Sequence, residues 1–114
     1  MAISEHFYDG MLPTVLTTLY TFIGPTGSRR SLRYFYAING DEINYVTWEL
    51  YVVANGDVAG TGNRIIPPTA NYRIEPGLGR MGNLWVVMHP GATIQGKCDN
   101  ANVNIFLDGA KETS

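Results

Sequence analysis

Three features of this 114-residue sequence predict an all-β domain: a two-sheet antiparallel β-sandwich, jelly-roll or Ig-like, of about seven or eight short strands. Apolar residues alternate with a period of two along most segments. Gly, Pro or Asn interrupts those segments about every ten positions. The composition, with 13 Gly, 6 Pro, 7 Tyr and only 16% charged residues, is unlike the Ala, Glu, Lys and Leu richness of a helical bundle. A single domain is expected, because two cores in a chain this short would each bury too little apolar surface.

Residues 1–12 mix Ile3, Phe7 and Tyr8 with polar neighbours, match neither helix nor strand pattern, and read as an N-terminal arm. The sandwich spans 13–109, and the charged 110–114 is a tail that frays. Pro13 precedes a strand from Thr14 to Ile23, rich in β-branched and aromatic residues and closed by Gly24-Pro25-Thr26-Gly27. The strand from Arg30 to Ile38 sets Leu32, Tyr34 and Tyr36 on one face and Arg33 and Phe35 on the other, before Asn39-Gly40 breaks it. Ile43 to Ala54 is the longest candidate, with Val46, Trp48, Leu50 and Val52 facing the core and Tyr45, Thr47, Glu49 and Tyr51 facing out.

Asn55 to Asn63 is a Gly-rich loop. Arg64-Ile65-Ile66 is stopped by Pro67-Pro68, which places it at an edge, and a short strand follows near Tyr72 to Ile74. After the loop from Glu75 to Gly82, Asn83 to His89 is a buried strand through Leu84, Val86 and Met88. Pro90-Gly91 turns the chain into two last strands, Thr93 to Gly96 and Val103 to Leu107.

The formal charge of −2 offers no concentrated positive field, which argues against a nucleic-acid partner, and the Arg29, Arg30 and Arg33 cluster reads as solvated charge. Cys98 is the sole cysteine, so the fold stands on packing without an intrachain disulfide. No apolar run approaches the ~20 residues that cross a bilayer, and Glu5 and Asp9 are foreign to a signal peptide, so no membrane partner and synthesis in a reducing cytoplasm are expected.

Catalytic, cofactor and metal sites are not expected either. His6 and His89 each lack a second histidine three or four residues away, and no serine sits in a Gly-x-Ser-x-Gly elbow. Asp41-Glu42 flanks a turn, and Gly60-Thr61-Gly62-Asn63 lacks the Lys-Ser/Thr of a phosphate loop.

Aromatic residues carry the functional signal. Trp48, Trp85, Tyr34 and Tyr36 are assigned to the core, whereas alternation points Phe35, Tyr45, Tyr51 and Phe106 outward. If the strands adjoin, Arg33, Phe35, Tyr45, Glu49 and Tyr51 share one outer face that, with Phe7 and Tyr8 of the arm, forms a candidate protein interface. The competing reading covers that face with the arm or a loop.

The run NLWVVMHPGATIQGKCDNANVNIFLDG, Asn83 to Gly109, joins an apolar strand, a Pro-Gly turn, a Thr-Ile strand, a small polar link and a Val-x-Ile-x-Leu strand ending in Gly. With the weaker echo LYTFIGPTGSRRSLRYFYAING, Leu19 to Gly40, it resembles small β-sandwich virion proteins of tailed bacteriophages, including capsid decoration (cement) proteins and other head- or tail-attached proteins. The resemblance implies a non-enzymatic structural protein of the virion, made in the host cytoplasm. It would bind the major capsid protein or another virion protein, often as a homo-oligomer, with a trimer among the options. The alternative is a carbohydrate- or receptor-binding virion module associated with a tail or head fibre, since sugar rings stack on exposed Trp or Tyr.

Overall fold

Turn-forming residues cut the chain into extended segments, and each segment pairs with the one at mirror-image distance along the sequence. The computed structural model describes residues 2–66 and 73–112, which hold eight strands and no helix. The strands are β1 (Ala2–Met11), β2 (Thr17–Thr21), β3 (Arg29–Asn39), β4 (Trp48–Val53), β5 (Arg64–Ile66), β6 (Gly79–Met88), β7 (Thr93–Cys98) and β8 (Val103–Glu112). β1 pairs with β8, β2 with β7, β3 with β6 and β4 with β5, all antiparallel and all centred near Asp57 to Ala59. The long hairpin is rolled so that β3 also meets β8 and β4 also meets β7. Two four-stranded sheets result: sheet A, ordered β1-β8-β3-β6, and sheet B, ordered β2-β7-β4-β5. That is the order of a jelly roll, not of an Ig-like sandwich.

The tight turns sit where Gly can supply a positive φ. Ala92 N–H donates to the His89 carbonyl at 3.0 Å across Pro90-Gly91, and Ser28 N–H donates to Pro25 at 3.1 Å across Thr26-Gly27. Gly91 and Gly27 both have φ of 92°, as the third position of a type II turn requires.

Between the sheets, Leu32, Phe35, Ala37, Ile105 and Leu107 of sheet A pack on Trp48, Leu50 and Ile94 of sheet B. Phe35 meets Trp48 edge-on at 5.2 Å, and Phe7 meets Tyr20 at 4.7 Å. Toward one end of the core, Arg30 lies with its guanidinium over the Phe22 ring and its Nε 2.7 Å from Glu5; the approach is off-axis, so this is an ion pair and not an aligned hydrogen bond. The fully buried Asn39 ties the other end. Its amide donates to the carbonyls of Asn44 (2.8 Å) and Ile74 (3.2 Å), and its carbonyl accepts from Asp41 N–H (2.9 Å).

Several sequence-based expectations change here. Residues 2–11, read as an arm, form edge strand β1, and 110–112, read as tail, complete β8, because the two ends of the chain pair with each other. In β3 the pairing slips between Leu32 and Tyr34 on both sides. Such an irregularity exchanges the faces beyond it. Phe35 therefore enters the core at 4% exposure, while Tyr34 and Tyr36, read as core, take the opposite face. Trp85, also read as core, is 67% exposed. In the Ile43 to Ala54 stretch, ladder pairing begins only at Trp48, and Val46 makes a single bridge to Ile74. The Pro67-Pro68 stop and Tyr72 lie outside the described residues.

Candidate protein interface

Strand β6 runs along one edge of sheet A and alternates without a fault: Leu84, Val86 and Met88 turn inward while Met81, Asn83, Trp85 and Val87 turn outward. The sheet register continues that outer row, with Tyr34 beside Asn83, Tyr36 beside Met81 and Phe106 of β8 beside Tyr36. The rings of Tyr36 and Phe106 stack at 6.3 Å, and the Tyr34 hydroxyl reaches the Met81 sulfur at 3.7 Å.

Arg33 sits at the β3 irregularity, which aims its side chain along this face. Its Nε donates to Ser31 Oγ at 2.7 Å, Nη2 contacts Glu112 at 3.4 Å, and the guanidinium lies 4.0 Å from the Trp85 ring centre. Arg29 shares Glu112 at 3.7 Å. Trp85, Met81, Val87 and Phe106 remain exposed. Aromatic residues, Met and Arg over a face with few opposing charges are the composition that interface centres enrich.

Of the seven residues expected at an interface, the structure brings only Arg33 to this face. Phe7 is 6% exposed, packed on Tyr20, and Tyr8 is half-buried with its hydroxyl donating to the Met11 carbonyl at 2.7 Å. Phe35 is core. Glu49 and Tyr51 do not adjoin Arg33, because β4 belongs to sheet B, and Tyr45 lies in the segment that leads into β4. Tyr45 is exposed with the Arg73 guanidinium 4.3 Å above its ring. Tyr51 is 7% exposed and donates to Glu49 at 2.6 Å.

Burial alone would raise the Glu49 pKa, but the Tyr51 hydroxyl, Lys97 and Arg64 together hold it below the usual carboxylate range. Glu49 is thus a charged tie within sheet B. The residues missed, Trp85, Met81, Tyr34 and Tyr36, have a usable signal in one case: Trp85 lies between Leu84 and Val86, so period two already turns it outward.

Polar clusters elsewhere are internally satisfied. Asp41 accepts from the Ile43 and Asn44 backbone N–H groups and from the Asn44 and Asn100 amides, and these bonds hold its pKa far below normal. Among the described residues no group of three or more His, Cys, Asp or Glu could hold a metal ion. Cys98 is buried against the carbonyls of Leu12 and Asn100, and burial pushes its thiol pKa up.

His6 bonds Asp108 through Nδ1 and Asp9 through Nε2 (3.1 Å), bridging β1 to β8. The hydrogen bond that its ring donates to the Asp108 carboxylate outweighs the desolvation that opposes it and, with the bond donated to Asp9, raises its pKa above the usual histidine value. A raised folded-state pKa means the tie contributes fully below the unfolded value and is lost as pH rises through the folded one. Urea midpoints should therefore fall as pH rises from below the unfolded histidine value of about 6.5 through the higher folded one, and His6→Gln should remove that part of the fall. An identical pH profile in His6→Gln would refute the tie.

No protein-family model, curated protein or solved structure matches the chain.

Proposed function

We propose that this protein is a non-catalytic structural component of a phage virion, a decoration protein that docks on the head lattice through the outer face of sheet A. The single observation that carries the reading is the row of exposed Met81, Trp85 and Phe106 joined by half-buried Tyr36 and flanked by Arg33, a contiguous apolar and aromatic patch of the kind that marks a binding surface. The jelly roll is a fold shared by viral capsid and lectin domains, which supports the reading by analogy of architecture alone. The sequence resemblance of Asn83 to Gly109 points the same way. A lattice-bound protein needs only modest affinity per copy, because many copies engage a repeating surface at once.

The test is co-sedimentation with heads of the encoding phage prepared without the protein. The native chain should pellet with the heads. Trp85→Ala should bind at least about tenfold more weakly, because exposed Trp dominates interface energetics, whereas Tyr45→Ala, away from this face, should bind normally. No retention by heads would refute the proposal, as would capture by a glycan with heads ignored.

A further inference from the structure

Sheet A has two edges, and they are protected unequally. β1 carries Glu5, His6 and Asp9 along its length, charges that discourage a further strand. β6 is as long, 10 residues, and carries Arg80 as its one charge; its pairing with β3 shifts register between Val86 and Asn83, but its side chains alternate through to Met88. Its one ladder partner among the described residues is β3. A row of backbone N–H and C=O groups thus faces away from the sheet beside exposed Met81, Trp85 and Val87.

We propose that the occupant of this edge is β6 of a second copy, paired antiparallel about a two-fold axis at Asn83. Two copies of one edge are necessarily complementary in an antiparallel pair, since each donor meets an acceptor. The Asn83 register places Met81 against Trp85 of the other copy, a sulfur–aromatic pair, and sets Gly82 against Leu84 on the inner face.

Charge permits the register. The two Arg80 residues face apolar Val86 positions and stand about 20 Å apart along the ladder, beyond the ~8 Å screening length. The exposed apolar side chains Met81, Trp85 and Val87 of each copy lie beside the paired backbone and add side-chain contact to the ladder. Pairing would join two aromatic faces into one continuous eight-stranded sheet.

Solution mass by light scattering and sedimentation, with no heads present, tests the pairing. The native chain should be a dimer. Met81→Glu and Trp85→Lys should each raise the dissociation constant at least about tenfold. The double variant, which sets a carboxylate at position 81 against an ammonium at position 85 across the axis, should recover the dimer. Both positions are exposed, so an unchanged circular dichroism spectrum keeps the comparison sound. A native monomer, an oligomer indifferent to both single variants, or a double variant that stays monomeric overturns the inference. The readout is separate from head binding: a monomer that binds heads refutes the dimer alone, and a dimer that ignores them refutes the lattice reading alone.

Discussion

Trp48→Ala should destabilise the protein by about 3–5 kcal/mol, the range for emptying a large aromatic site in a core. Trp48 is 1% exposed on β4 and meets Phe35 of β3 edge-on, so its ring is a principal contact between the two sheets. Truncation would forfeit its burial and the aromatic pair together, and the rigid ladders on either side leave little freedom to collapse into the gap. Against a total of roughly 5–15 kcal/mol, that loss takes a large share of the stability of a domain this size. Urea unfolding followed by far-ultraviolet circular dichroism measures it. A shift below about 1 kcal/mol would contradict the packing described.

Gly109→Ala should be nearly as damaging, although it adds only one carbon. A Cβ at Gly109 would stand 1.8 Å from the Ser31 carbonyl oxygen and 2.7 Å from the Phe7 ring. The first of these is backbone, in the stretch where β8 runs beside the β3 irregularity, so relief requires the strands to part. Overpacking that moves backbone typically costs 1–3 kcal/mol and sometimes more, and about 3 kcal/mol is expected here. Gly62→Ala is the control, since a Cβ there meets nothing within 4 Å. Equal urea midpoints for the two variants would contradict the close approach of β3 and β8.

These two positions also mark how far the sequence can be read. Alternation of Val46, Trp48 and Leu50 is enough to bury Trp48, and the Pro90-Gly91 turn and the Val103, Ile105 and Leu107 series are equally plain. Gly109 is visible only as the end of a motif, because its role depends on a strand far earlier in the chain. The same limit explains the misplaced candidate site. Period two is lost wherever a strand slips by one residue, and nothing in Leu32-Arg33-Tyr34-Phe35 announces the slip that sends Phe35 inward. Strict alternation therefore turns Phe35 and Tyr51 outward, when the first is core and the second is closed over by its own sheet.

The grouping of Arg33 with Tyr45, Glu49 and Tyr51 fails for a different reason. It takes consecutive strands as neighbours, whereas in this roll β3 and β4 lie in opposite sheets. Placing Trp85 in the core goes against the alternation itself, on the general expectation that tryptophan is buried. Residues 2–11 lack a clean apolar pattern because β1 is an edge strand with a slip, and its partner β8 lies at the far end of the sequence.

The central claim is that the outer face of sheet A is the docking surface, and hydroxyl-radical footprinting of the head-bound protein tests it most directly. Labelling of Trp85, Met81 and Phe106 should fall several-fold on binding, while Tyr45 and Val58 label as in the free protein. Trp85 and Met81 labelled as heavily on heads as in solution, with protection at Tyr45 or Val58 instead, would contradict the account.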